Sequence, residues 1–207
     1  MKFTSFILVL AGLCTLVVVA QPADPKAAAK KAFMMISMGL TPSEYDLMMA
    51  VTHCDDVQAE SALKSGANPN FLGLANETQL MVVCNKCTNV KLAQLLLKYG
   101  AKTEFEDDGG YTALMYAAQE NRPEMVKALL ESGADPNLKA DSDNAKSIGT
   151  EGFTALMFAC EYASIKVVPL LLAHGADTKI VNAKGQTALD MTKQGNQEAI
   201  IKLLEGK

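Results

Sequence analysis

One stretch of this chain is written three times. Thr112 opens TALMYAAQENRPEMVKALLESGADPN, Thr154 opens TALMFACEYASIKVVPLLLAHGADTK, and Thr187 opens the shorter TALDMTKQGNQEAIIKLL. Thr187 follows Thr154 by 33 residues, and Thr154 follows Thr112 by 42, nine more than 33. Working backwards, Thr78-Gln79-Leu80-Met81 lies 34 residues before Thr112, and Tyr45 lies 33 before Thr78. The doublets Gly66-Ala67, Gly100-Ala101, Gly133-Ala134 and Gly175-Ala176 keep the same beat. Such a chain repeats one supersecondary unit, and each copy buries its apolar face on the next. Five units can be indexed, at about 45–77, 78–111, 112–153, 154–186 and 187–205, in a repeat domain spanning 44–207.

Within a unit the residue types have mechanical roles. Threonine at position 1 caps a helix through its hydroxyl. Leucine at position 3 and a small pair at 6 and 7 (Ala117-Ala118, Ala159-Cys160) let neighbouring helices approach closely. Val126, Leu129 and Leu130 recur at helical spacing and face the adjacent unit. Gly133 supplies the left-handed residue that ends the second helix. Position 4 carries Met48, Met81, Met115, Met157 and then Asp190, a column read most simply as core. T-x-L, a small pair, LL and G-A-[DN]-x-N on a 33-residue period resemble the ankyrin repeat. The match is close in units three and four, recognisable in one and two and truncated in five. The Pro and His of the family's T-P-L-H box are missing here. The resemblance implies an all-α ankyrin-repeat solenoid of helix-turn-helix units with β-hairpin-like fingers.

The N-terminus addresses where this stack works. Met1-Lys2 precedes an apolar run from Phe6 to Val19, and Val18-Val19-Ala20 stands before polar Gln21-Pro22. That is the pattern of a secretory signal peptide over residues 1–20, too short for a membrane span. The expectation is a secreted or periplasmic product without a stable membrane anchor. A lipoprotein site at Cys14 is disfavoured by bulky Leu13 before it. Loss of residues 1–20 removes one Lys and no acid, taking the net charge from −4 to −5. An acidic chain without a basic stripe argues against nucleic acid as a partner. Residues 21–43 read as an N-terminal capping helix that opens at Asp24-Pro25 and covers the otherwise naked first unit. Thr41-Pro42-Ser43-Glu44 is a capping box that starts the first repeat helix.

Beyond residue 20 the cysteines are Cys54, Cys84, Cys87 and Cys160. Cys54 and Cys87 fall at position 10, in the turn between paired helices, and Cys84 and Cys160 at position 7. Equivalent positions in adjacent units lie about one helix width apart, ~8–10 Å. A disulfide needs Cα atoms roughly 4.4–6.8 Å apart. Strict repeat geometry therefore forbids Cys54–Cys87, whereas the extra residue near Thr88 shifts Cys87. A bridge among Cys54, Cys84 and Cys87, packed reduced thiols, and a thiol-redox or metal site using His53, Cys54, Cys84 and Cys87 all stand as readings. Cys160 is two units beyond Cys84, out of its reach.

No catalytic constellation is present. His53 and His174 are the only histidines, and HExxH, GxSxG and phosphate-loop patterns are absent. A non-enzymatic chain without cofactor or metal is expected. Asn76-Glu77-Thr78 forms a glycosylation sequon, although Thr78 is already explained as a capping threonine. What the ankyrin resemblance implies is a concave protein-binding face, made of the fingers and the residues flanking each first helix. Carried onto this chain, the residues before the caps are Glu77, Tyr111, Phe153 and Gln186. Those after the small pair are Asn85, Lys86, Gln119, Glu120, Glu161, Tyr162 and Gln194.

Tyr111, Phe153 and Tyr162 are expected to form an aromatic patch, with Phe71 and Phe105 on fingers; aromatics are the usual interface anchors. Packing of finger against finger is the alternative use of the same rings. Glu104, Glu106, Asp107, Asp108, Asp141, Asp143 and Glu151 make the fingers acidic and suit a basic partner. The nine-residue excess lies between Leu138 and Thr150, where Asp141-Ser142-Asp143-Asn144 is expected to be irregular. It lacks the glycine and terminal glutamate of an EF-hand loop. The sequence thus points to an exported, monomeric scaffold or adaptor that binds another protein. A thiol-redox or metal-binding protein is the alternative.

Overall fold

The computed structural model describes residues 25–195 and 197–206, so the signal-peptide reading of residues 1–20 lies outside the described residues. Twelve α-helices are seen among them. α1 is Pro25–Met38, and five pairs follow: α2 Pro42–Thr52 with α3 Asp56–Lys64, α4 Gln79–Lys86 with α5 Val90–Lys98, and α6 Ala113–Gln119 with α7 Pro123–Glu131. After α8, Asp143–Ile148, come α9 Ala155–Glu161 with α10 Val168–Ala173, and α11 Ala188–Gln194 with α12 Glu198–Glu205. The first helices stack in the order α2, α4, α6, α9, α11, and the second helices as α3, α5, α7, α10, α12. Leu47, Leu80, Leu114 and Leu156 from the first row and Leu92, Leu96, Leu129 and Leu171 from the second are buried between the rows. No described helix is long and apolar enough to cross a membrane. α1 packs on α2, and α2 begins at Pro42, where the Thr41-Pro42-Ser43-Glu44 capping box places its start.

Helix starts follow one rule with two chemistries. Thr41, Thr78, Thr112, Thr154 and Thr187 each accept a bond from the backbone amide three residues on. The reciprocal bond to the cap's own amide comes from a carboxylate in units one and five: Thr41 N donates to Glu44 Oε2 at 2.8 Å and Thr187 N to Asp190 Oδ2 at 2.9 Å. In units two and three the acceptor is sulfur, Met81 Sδ at 3.3 Å and Met115 Sδ at 3.5 Å. Both methionines are buried, where an unpaired carboxylate would carry a large desolvation cost. The methionine column is core, and two of its members also cap.

The fingers between units are turns without a strand ladder. Among the described residues the β-type pairing is a single antiparallel bridge, Leu72 to Thr78. The expected hairpins therefore shrink to tight loops closed by lone bonds, such as Asp107 N to Tyr111 O at 3.2 Å and Asn182 N to Gln186 O at 3.0 Å. Asparagines stitch successive units: Asn70 donates to Gly100 O and accepts from Lys102 N, and Asn137 does the same with Gly175 O and Asp177 N. Gly110 (φ +73) and Gly152 (φ +78) sit where the following finger crosses. A Cβ on Gly110 would lie 2.8 Å from Asp141 N, and one on Gly152 3.0 Å from Ala183 N.

The nine-residue excess is not irregular, contrary to expectation. Ser142 Oγ accepts from Ala145 N, Gly149 closes the segment at φ +80, and α8 lies between. The residues taken as a breaker are a helix cap and first turn, because serine and aspartate bond backbone amides at a helix start. Ala145 is buried, and Asn144 Nδ2 donates to Asp108 O at 3.0 Å, so α8 leans on the preceding finger.

Candidate protein-binding face

The face built from first-helix ends and fingers carries the residues singled out in the sequence, and the structure sorts them. Tyr111 is half-buried and its ring meets Tyr116 at 5.5 Å and Phe158 at 5.1 Å between centroids, both edge-on. Phe153 meets Phe158 at 5.3 Å and is only 7% exposed. Phe153 was expected to be a free anchor; it is turned inward and supports the face from below. Phe71 is buried too, and Phe105 is half-buried against the Lys102 ammonium, 5.8 Å from its ring centre. Tyr162, at 53% exposure, remains open to a partner. Phe158 and Tyr116, which hold this cluster together, were missed in the sequence. Their signal was an aromatic residue recurring at position 5 of adjacent units.

Tyr162 and Phe153 meet in a recess of about 330 Å³. Its walls are the end of α9 (Glu161, Tyr162), Met191 and Gln194 of α11, Lys184 and Gln186 of the next finger, and Ile148 to Thr150 closing α8. Tyr111 is not part of the lining; its hydroxyl reaches Thr150 Oγ1 at 2.7 Å and holds that wall in place. Burial raises the Tyr111 phenol above its ordinary pKa, so it stays a neutral hydrogen-bonding group. A larger, open hollow of about 540 Å³ lies between α2 and α3, lined by Ser43, Asp46, Gln58 and Ser61 among others, with no aromatic.

The acids also divide. Asp107 is used inside the fold: Oδ1 accepts from Gly109 N and Tyr111 N, and Oδ2 from the Tyr116 hydroxyl at 2.5 Å. It shapes the finger, and its expected role as a contact to a partner has to share that carboxylate. Asp108 is exposed and accepts from Asn76 Nδ2 at 2.6 Å. Glu120 is exposed and lies 3.8 Å from the Arg122 guanidinium; Glu161 is exposed and in no ion pair among the described residues. Lys146 answers Asp143 at 3.4 Å and Glu151 at 3.9 Å. Partial burial, and after it the charges of Asp141 and Asp107, push the Glu106 carboxyl above the ordinary range.

Where the first helices end, the joints between units use three different devices. Cys54 and Cys87 are bonded, with Cα atoms 5.7 Å apart, inside the window a disulfide needs. Position 10 is left-handed in units one, three and four, at Cys54 (φ 55), Asn121 (φ 50) and Ala163 (φ 51). Cys87 is extended instead (φ −99, ψ 146), because Thr88 adds a residue before the cap Asn89. That departure brings the sulfurs together where regular geometry would not. At the second joint Arg122 donates to Cys87 O and to Asn85 O, the latter at 2.8 Å. At the third, Ser164 Oγ donates to Ala118 O at 2.9 Å.

The bridge removes Cys87 from any Cys84-Cys87 dithiol. Cys84 is wholly buried and its thiol is pushed up to about 12 by burial, against the pull of Arg122. Cys160 is likewise buried and pushed up to about 12. Both are neutral packing residues, and neither is a reactive thiolate. His53 is exposed, its Nδ1 2.7 Å from Met49 O. Among the described residues no group of three or more His, Cys, Asp or Glu is arranged to hold a metal ion.

Comparison with known proteins agrees with the helix-pair stack. Residues 47–140 and 146–191 match two family profiles, both described as ankyrin repeats. An ankyrin repeat protein of Rickettsia bellii is 40% identical, over 58% of this chain and 48% of the relative. An ankyrin repeat protein of Acanthamoeba polyphaga mimivirus is 36% identical over 35% of this chain and 17% of its own length. The human 2-5A-dependent ribonuclease is 39% identical over 30% of this chain and 9% of its own. The chain thus spans less than half the length of these relatives, and the likeness concerns their repeats. Ankyrin repeats commonly mediate interaction between proteins. The helix pairs, the threonine caps and the two profile matches together establish that this chain belongs to the ankyrin-repeat proteins.

Proposed function

We propose that the chain is an exported, non-enzymatic scaffold that binds another protein, one with a basic surface, through its concave, finger-side face. The observation that carries this reading is the row Glu120, Glu161 and Tyr162, exposed at the ends of first helices beside acidic fingers. None of the three is needed by the core. Export is supported by the pattern of residues 1–20 and by the Cys54–Cys87 bridge, a bond that persists in oxidising compartments. The protein acts as a monomer with a secreted or periplasmic address.

A photo-crosslinking residue at position 162, with mass spectrometry of what it captures in the native host, identifies the partner. Tyr162→Ala should weaken that complex by ~2 kcal/mol or more and leave melting unchanged. Leu129→Ala, in the core, should instead lower stability by roughly 2–5 kcal/mol. Neutralising Asp108 and Asp141 should slow association and flatten its salt dependence. A partner footprint on α3, α5, α7 and α10 would sink the reading. Recovery of the chain with Met1 intact in a membrane fraction would overturn export, which predicts a mature start near Gln21.

A further inference from the structure

The inserted helix α8 does more than lengthen a finger: its last residue and the two that follow, Ile148 to Thr150, line a recess on the finger-side face. We propose that this recess receives an arginine side chain of the protein partner. The inference rests on the reading of this face as a partner-binding surface and names what the partner inserts. At about 330 Å³ the recess sits at the small end of the roughly 300–1,000 Å³ range of ligand pockets, a size for one long side chain rather than a free cofactor.

Three features select arginine. Part of the lining is apolar or aromatic: Phe153, Phe158, Met191 and Ile148, the last at 63% exposure. They suit the aliphatic stem of a long side chain. Tyr162 presents an exposed ring on which a planar guanidinium stacks. Glu161, next to it in the lining, has no cationic partner among the described residues, and Gln194 offers a side-chain acceptor.

Charge at longer range has the same sign. Glu106 is crowded by Asp107 and Asp141 in the adjoining fingers. The one cation in the lining is Lys184, whose Nζ stands 3.8 Å from where a Cβ on Gly149 would sit, at the C-terminal turn of α8. A helix C-terminus attracts such a cation.

The test uses the full chain, isotope-labelled, titrated with acetyl-Ala-Arg-Ala-amide and followed through its backbone amides by NMR. Saturable shifts are expected at Gly149, Thr150, Tyr162 and Gln186. The citrulline peptide, the same shape without charge, should bind roughly tenfold more weakly. Glu161→Gln should weaken the arginine peptide by a similar factor, and Lys184→Ala should leave it unchanged or tighter. Absence of saturable shifts in the recess, equal binding of citrulline, or preferential binding of the glutamate peptide through Lys184 would each overturn the proposal.

The two readings fail separately. Capture of a partner at position 162 with no arginine binding keeps the surface and sinks its occupant. Arginine binding with the partner mapped to the second-helix side keeps the recess and sinks the scaffold reading.

Discussion

Tyr111 Oη and Thr150 Oγ1 lie 2.7 Å apart, joining the residue before the cap of α6 to the residue that follows the α8 turn. The bond crosses 39 positions of sequence and fastens the insertion to the unit it interrupts. Together with the Asn144–Asp108 contact it holds α8 at both ends.

Tyr111→Phe should therefore loosen the insertion without unfolding the stack. A lost hydrogen bond of this kind costs about 0.5–1.5 kcal/mol. Hydrogen exchange should show faster exchange at Ala145 to Gly149, with α6 and α9 unaffected. Uniform loosening across all units would contradict a local role for the bond.

The Cys54–Cys87 bridge should stabilise the oxidised protein. Replacing both cysteines with serine is expected to cost about 2–4 kcal/mol in chemical denaturation. Peptide mapping should find Cys54 linked to Cys87 and leave Cys84 and Cys160 free. A map with four free thiols in protein from its own compartment would remove the bridge from the account.

Glu106 makes stability depend on pH in a definite direction. Burial, with Asp141 and Asp107, raises its folded pKa. Its contribution is complete below the unfolded value, near 4.3, and is lost as pH rises through the raised folded value. Glu106→Gln should thus melt higher than the parent near neutral pH and lose that advantage at about pH 3.5. An advantage independent of pH would show that the charge is not the cause. Asp190 has the opposite sign: its bonds to Thr187 lower its pKa, so its cap weakens as pH falls through that lowered value.

Much of this was legible because a repeat states each rule several times. Thr78, Thr112, Thr154 and Thr187 announced their helices, and the Gly-Ala doublets announced where second helices end. What occurs once was harder to read. Ser142 and Asp143 look like a breaker until Gly149 is seen closing the same six-residue helix. Whether Phe153 faces a partner or the interior depends on Phe158, a contact between side chains that no spacing rule encodes. Asp107 reads as one more surface acid until its two oxygens are found holding Gly109, Tyr111 and Tyr116.

Two glycines with similar backbone angles should respond differently to alanine. Gly110 and Gly133 both have positive φ, and a left-handed alanine costs of order 1–3 kcal/mol. A Cβ at Gly133 meets nothing within 4 Å, whereas at Gly110 it would press on Asp141 N at 2.8 Å. Gly110→Ala should be the more damaging in thermal melts and should displace the following finger. Equal losses would mean that strain alone governs both positions.

Thr88 has a consequence for anyone redesigning this array. A designer averaging the units would delete that residue, since units one and three pass from position 10 straight to the helix cap. The deletion would return Cys87 to the left-handed conformation of Asn121 and Ala163 and move its sulfur away from Cys54. The more uniform chain would lose the disulfide that joins its first two units. At this joint irregularity is the condition for the cross-link, and a consensus sequence would erase it.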